Sequence, residues 1–322
     1  MSLSADRQAC NENKISVVIV GPTAVGKTSF AITLAQHFNT QIISADSRQC
    51  YKELNIGVAK PSTEKLQKVK HYFINSHSIH DEVNAKVFEE YSLLKAKEIF
   101  KNNDAAITVG GTGLFIKAFC EGMDEVPVIE TAIRNTIVTN YNNGGLEWLI
   151  GEVKKTDPIF FFRGEIKNPQ RMMRALEVKF STGRSIIEFQ SHKKKERYFK
   201  IFKIGLELQK EELYQNINNR VEAMMKNGLL NEVKSLYPFK NLNALQTVGY
   251  KELFDHIEGK MSLEKAIEQI KINTRHYAKR QMTWFKKDKD VTWFSAADSL
   301  TGLYEEVINS LSANGVGRSE IL

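Results

Sequence analysis

Apolar and polar positions fall into two regimes along the chain. Ile15–Val20 is a short, β-branched apolar run ending at Gly21-Pro22, which predicts a buried strand. Lys27–Phe38 then has helical spacing, with Phe30, Leu34, Ala35 and Phe38 on one side. Gln41–Ala45 predicts a second strand, closed by Asp46. Val87–Phe100 predicts a helix carrying Phe88, Tyr91, Leu94 and Ile99 along one face. Ala105–Val109 predicts a third strand, running into Gly110-Gly111-Thr112-Gly113 and another helix. Strands alternating with helices predict a parallel sheet covered on both faces.

The pattern changes after Gly122. From Ile129 to Phe189 the period is helical, with a turn signal at Asn142–Gly145 and a break at Asn168-Pro169. Tyr198–Leu208 reads as a strand again, helices follow at 210–227 and 262–287, and Val291–Phe294 reads as a last short strand. The expected fold is α/β, a P-loop-type parallel sheet flanked by helices and interrupted by an all-helical insertion domain. Residues 1–122 would form the first part of the core, 123–197 the insertion and 198–322 the rest of the core with C-terminal helices. The last dozen residues are expected to fray.

Composition narrows the class. A chain of 322 residues with 42% hydrophobic and 26% charged content is that of a globular protein. No apolar run approaches the roughly 18–20 residues that span a bilayer, and the N-terminus lacks the basic-then-apolar pattern of an export signal. Cys10, Cys50 and Cys120 are scattered without CxxC spacing, which argues against a disulfide framework and fits a reducing cytoplasm. The net charge of +7 is unevenly placed: residues 171–203 hold ten basic against three acidic side chains, as much net charge as the whole chain. A second basic cluster comprises Lys271, Arg275, Lys279, Arg280, Lys286, Lys287 and Lys289, opposed by Asp288. Two such clusters point to a polyanionic partner, against the alternative of an ordinary solvated surface. Arg171 and Arg174, three apart, share a helix face, and Arg275, Lys279 and Lys286 recur at spacings that would line a nucleic-acid backbone. The aromatics among the second cluster (His276, Tyr277, Trp284, Phe285, Trp293) read as core more readily than as stacking platforms.

One motif carries chemistry outright. Gly21-Pro22-Thr23-Ala24-Val25-Gly26-Lys27-Thr28 matches GxxxxGK[ST] in full, between a strand and a helix as that loop requires. Its glycines let backbone N–H groups turn onto a phosphate, and the helix N-terminus adds a favourable dipole. Lys27 would reach outer phosphate oxygens and the Thr28 hydroxyl would ligate Mg²⁺. The third strand, by contrast, ends in Gly110–Gly113 without the carboxylate that NTPases place there. The acidic residue instead follows the second strand, at Asp46, where α/β sheets bind ligands. Asp46 suits a general base and equally a cap of the Asp46-Ser47 turn. His77–Asp81 reads as loop histidines rather than a metal site, and Arg220 alone would pass for a surface arginine.

In order, GPTAVGKT (21–28), SADSRQCYKELNIGVAKP (44–61), VGGTGLFIKAF (109–119), NPQRMMRALEV (168–178), VGYKEL (248–253) and TRHYAKRQMTWF (274–285) resemble the tRNA dimethylallyltransferases, also called tRNA isopentenyltransferases. The resemblance runs from about Val17 to Phe294. It implies transfer of the dimethylallyl group of dimethylallyl pyrophosphate to N6 of adenosine 37 in the tRNA anticodon loop, by a cytoplasmic enzyme expected to be a monomer. The phosphate loop, Gly21 to Thr28, would then hold pyrophosphate rather than drive ATP hydrolysis. Lys27, Mg²⁺ on Thr28, and Arg220 would neutralise the leaving group, with Asp46 as base. Thr112, Arg134, Asp46–Gln49 (with Ser47 and Arg48), Gln170–Arg174 (with Met172 and Met173), Gln246, Gly249, Tyr250, Lys251 and the Lys279–Lys286 stretch with Arg280 and Gln281 match the family's tRNA-contacting segments. Two departures stand out. Phe115 replaces the family's usual Tyr, which would remove a hydroxyl from the active-site wall, and Val58 replaces a Thr. The alternative is a P-loop small-molecule or nucleotide kinase, which explains neither basic cluster; a P-loop RNA-binding protein without activity is the third reading.

Overall fold

The computed structural model describes residues 14–191, 193–297 and 300–313. The chain divides into two compact units, one formed by residues up to Glu121 together with those from Glu196 onward, the other by Gly122–Lys195.

The first unit is built on β1 (Ile15–Val20), α1 (Lys27–His37), β2 (Ile42–Ser44), α2 (Thr63–Lys68), β3 (His71–Tyr72), α3 (Ala85–Ile99), β4 (Ala105–Val109) and α4 (Gly113–Glu121). Its order in the sheet is β3-β2-β4-β1 followed by β5 (Lys200–Glu207) and β6 (Val291–Ser295), with every neighbouring pair parallel. All six residues of β1 are buried, which is why its run is apolar but for Ser16 instead of alternating. The register sets Val17 against Ile107 and Phe202. Val17 and Ile19 pack with Phe30 and Leu34 of α1 in one core layer. The single polar residue within β1, Ser16, meets the Thr108 hydroxyl at 3.4 Å inside the sheet.

The C-terminal part adds α8 (Lys210–Lys226), α9 (Leu229–Leu236), α10 (Tyr250–Ile257) and α11 (Leu263–Phe285). After β6 a final helix spans Leu300–Ala313 and buries Leu303, Val307 and Leu311 in the α1 layer. Of the expected fraying, residues from 314 on lie outside the described residues. Leu303, Val307 and Leu311 recur at spacings of four and form one apolar helix face. The segments α2, α9, α10 and β3 have no counterpart in the hydrophobic pattern, since six- to eight-residue helices and a two-residue strand show too little periodicity. Among the described residues no helix is long and apolar enough to cross a membrane.

The second unit consists of α5 (Thr131–Thr156), α6 (Pro158–Arg163), α7 (Pro169–Thr182) and a 3₁₀ turn at Ile186–Phe189. The turn signal at 142–145 survives as a break inside α5, where Gly145 takes φ 63° and ψ −159°. The Asn168-Pro169 break starts α7: the Asn168 side chain accepts from the N–H groups of Gln170 and Arg171, and Pro169 occupies the first turn. Its core holds Ile137, Leu149, Val153, Phe160, Met172, Met173, Ala175 and Leu176.

Candidate active site

The loop after β1 is built to point N–H groups outward. Ala24 has φ 66° and Gly26, the residue before α1, has φ 99°. No side chain caps α1, so its first-turn N–H groups and dipole face the hollow above the loop. Lys27 Nζ donates to Pro22 O at 2.6 Å. Burial lowers its pKa to about 7, with the nearby Arg220 charge lowering it further and Asp46 partly opposing both. Arg220 on α8 is itself lowered from the ordinary arginine value by burial, again with Asp46 opposing.

The ends of β2 and β4 are locked together beside that loop. Gly110 lies so close to Ala45 that a Cβ there would come within 2.1 Å of Ala45 O, which accounts for glycine at this position. Ala45 N donates to Val109 O, and Thr112 N donates to Ala45 O. The Thr112 hydroxyl accepts from Ser47 N at 3.1 Å. Asp46 Oδ1 accepts from Arg48 N at 2.8 Å and Gln49 N at 3.2 Å. The turn-capping reading of Asp46 is therefore seen directly: one carboxylate oxygen closes the turn, and that closure fixes where the other stands.

Two cavities open here, of about 410 and 530 Å³, and Thr23, Asp46, Arg220 and Tyr277 line both. The first is walled by Gly26, Lys27, Thr28, Gln49, Lys60 and Lys65, and by Asn216 and Asn219 of α8. The second is walled by Ser47, Arg48, Gln246, Gly249, Lys251 and Arg280, with Val58, Val221, Met224, Val248 and Ile270 supplying apolar surface. The chain thus surrounds a basic chamber over the phosphate loop and a mixed polar and apolar one, and Asp46 lines both. Among the described residues no group of three or more His, Cys, Asp or Glu could hold a metal ion. Thr28 lines the phosphate chamber and offers one oxygen, which suits Mg²⁺ held mainly by substrate phosphates.

Several residues expected to touch tRNA do other work. Met172 is fully buried and Met173 is 6% exposed; both belong to the core of the second unit, because the α7 face bearing them is its apolar one. Tyr250 is fully buried, donating its hydroxyl to Glu232 at 2.6 Å. Gln281 is 5% exposed and braces two loops, its Oε1 accepting from Thr23 N at 2.8 Å and its Nε2 donating to Gly111 O at 2.9 Å. Gln49 walls the first cavity and donates Nε2 to Val58 O and Ala59 O. Arg171 pairs with Glu165, while Arg134 and Arg174 converge on the buried Glu177 at 3.6 and 3.0 Å. Arg134, Gln170 and Met173 line a small hollow of about 170 Å³ on the second unit. Lys279 is exposed and lines neither active-site cavity.

The second basic cluster is partly neutralised at home. Lys271 pairs with Glu222 at 2.6 Å, Arg275 donates to Asn218 at 2.7 Å, and Lys286 pairs with Glu207 at 2.7 Å while lying 4.0 Å over the Trp293 ring. Phe115 is not on the site wall. It is 4% exposed and stacks on Phe88 at 4.6 Å, so the missing hydroxyl belongs to a core position. Three cavity residues, Asn216, Asn219 and Lys65, carry no motif in the sequence, and Tyr277, expected in the core, lines both cavities. Asn216 and Asn219 share a face with Arg220 at helical spacing, a signal that was available. Tyr277 precedes Gln281 by four on α11; burial raises its pKa to about 12, with the Asp46 charge adding to the rise. Lys65 has its Nζ on the Ser29 hydroxyl at 3.2 Å.

Known proteins resemble this chain in sequence and in fold. The family model described as IPP transferase matches residues 49–288. The tRNA dimethylallyltransferase of Christiangramia forsetii is 44% identical over 294 residues, covering 91% of this chain and 97% of that protein. That of Cytophaga hutchinsonii is 45% identical over 282 residues, covering 88% and 93%. Among solved structures, the tRNA isopentenylpyrophosphate transferase of Bacillus halodurans aligns with a TM-score of 0.69 at 32% identity, covering 94% of this chain and 98% of its own. With a match of this extent in sequence and fold, the chain belongs to the IPP transferase family.

Proposed function

We propose that this enzyme transfers the dimethylallyl group of dimethylallyl pyrophosphate to N6 of adenosine 37 in the tRNA anticodon loop, giving N6-isopentenyladenosine and pyrophosphate. The observation that carries the reading is the pair of cavities meeting at Asp46, Thr23, Arg220 and Tyr277. The phosphate loop, Lys27 and Arg220 suit a diphosphate. The neighbouring chamber, with apolar Val58, Met224 and Ile270 beside polar Gln246 and Arg280, suits an unstacked purine.

In the transfer, the N6 lone pair forms a bond to C1 of the allyl group as the C1–O bond breaks. The electron pair leaves with pyrophosphate, and the amine proton passes to the Asp46 carboxylate. An exocyclic amine is a poor nucleophile, so holding it in line with C1 is a large part of catalysis. Lys27, Arg220 and the α1 N-terminus stabilise the charge that develops on the leaving group. Asp46 Oδ1 is occupied by two backbone N–H groups, which leaves Oδ2 for the proton. Mg²⁺ bound through Thr28 and the diphosphate would supply further charge neutralisation. Cys50 and Cys120 as buried free thiols fit the cytoplasm.

The test is transfer of label from radiolabelled dimethylallyl pyrophosphate to unmodified tRNA with Mg²⁺, beside an ATP-hydrolysis control. Label in adenosine 37 without ATP consumption supports the reading; ATP turnover without label gives the case to a kinase. Asp46→Asn should lower kcat by about 10²–10⁴-fold while tRNA still binds. Full activity in that variant would remove Asp46 from the role of base.

A further inference from the structure

A segment walls both cavities and is held from far away in sequence. Gly57 and Val58 line the purine-side chamber, while Ala59, Lys60 and Pro61 line the phosphate side. Ala59 stands at φ 47°, a conformation that a non-glycine residue keeps only when its surroundings impose it. From one side, Gln49 Nε2 donates to the carbonyls of Val58 and Ala59. From the other side comes α9. Glu232 Oε2 accepts from Ile56 N at 2.7 Å, and Oε1 accepts from Gly57 N at 3.0 Å and from the Tyr250 hydroxyl at 2.6 Å. The Tyr250 ring presses against Gly57 so closely that a Cβ there would lie 2.6 Å from it.

We infer that Glu232 is a positioning residue for the reaction: its carboxylate, braced by Tyr250, anchors the 56–61 segment and so sets the wall shared by the two substrate chambers. Three donors converge on one charged acceptor, and charge-assisted bonds of this kind are the strong ones. A carboxylate is the group required, because both segment atoms facing it are N–H donors. Glutamine keeps the shape but turns an NH₂ toward one of them.

The inference rests on the proposed reaction for its kinetic test, so a second readout is independent of it. In Glu232→Gln, KM for both dimethylallyl pyrophosphate and tRNA should rise about tenfold with kcat changed less than about threefold. Gly57→Ala, which pushes the segment off Tyr250 while leaving Glu232 in place, should shift both KM values in the same direction. Val233→Ala, a core truncation on the same helix, should lower Tm yet leave both KM values at the wild-type level. Amide hydrogen exchange at Ile56 and Gly57 should quicken about tenfold or more in Glu232→Gln and stay slow in Val233→Ala. Unchanged KM values and exchange in Glu232→Gln, or the same KM rise in Val233→Ala, would overturn the inference. Absence of transfer by the wild-type enzyme would overturn the reaction instead, and the exchange comparison would still decide the anchor.

Discussion

Lys27 shows how much one residue depends on where its charge is buried. Its side chain is half-buried on the wall of the phosphate chamber, its ammonium donates to Pro22 O, and desolvation with the cationic Arg220 nearby lowers its pKa from 10.5 to about 7. The charged form is therefore penalised until an anion arrives. In the free enzyme, the protonated fraction drops as pH rises through about 7, and binding diphosphate must then draw a proton from solvent. The expected outcome is that kcat/KM for dimethylallyl pyrophosphate falls as pH rises above about 7, approaching tenfold per pH unit. Lys27→Arg, whose side chain stays charged throughout, should flatten that fall. A wild-type profile that is level from pH 7 to 9 would contradict it.

At the scale of elements, α11 is the member that holds the site's loops together. Gln281 ties the phosphate loop to the turn after β4, through Thr23 N and Gly111 O, and Tyr277, one turn earlier, lines both cavities. Gln281→Ala would leave two backbone groups without their partner, one of them in a buried bond. It should cost about 1–3 kcal/mol in chemical denaturation and raise KM for the diphosphate substrate. A second tie secures the chain where it re-enters the first unit. Arg197 donates Nε to Phe119 O at 2.8 Å and Nη2 to Ala118 O at 2.7 Å, and pairs with the buried Glu89 at 3.0 Å. Arg197→Met leaves a buried carboxylate without its guanidinium and should destabilise the first unit by about 3–5 kcal/mol in urea unfolding. A loss below about 1 kcal/mol would mean that Lys86, 3.5 Å from Glu89, compensates.

For the whole molecule the decisive quantity is the distribution of charge. The net +7 is concentrated in 171–203, yet Arg171, Arg174, Arg197 and Lys203 there are paired with Glu165, Glu177, Glu89 and Asp288, as Lys271 and Lys286 of the second cluster are with Glu222 and Glu207. Phosphate contacts should therefore come from fewer side chains than the count of basic residues implies. Measured affinity for tRNA should still fall about tenfold or more between 100 and 200 mM salt, as counterion release requires for several phosphate contacts. An affinity indifferent to salt would sink the reading of the basic surface as a tRNA footprint.

How much of this was legible beforehand depended on how local the cause was. The strand into GPTAVGKT, the Asp46-Ser47 turn and the break at Asn168-Pro169 are each set by residues within a few positions of one another, so the sequence alone determined them. The apolar run of β1 likewise announced a strand buried on both faces. Other features were decided only when distant helices packed. Met172 and Met173 went to the core and Phe115 to an aromatic stack because hydrophobic burial, not the neighbouring arginines or the motif, governs which way those faces turn. Gln281, Tyr277, Asn216 and Glu232 acquired their places because α8, α9 and α11 converge on loops that precede them by more than a hundred residues. No periodicity encodes such a meeting. It follows from burying several apolar faces at once, and the polar side chains left between those faces become the site.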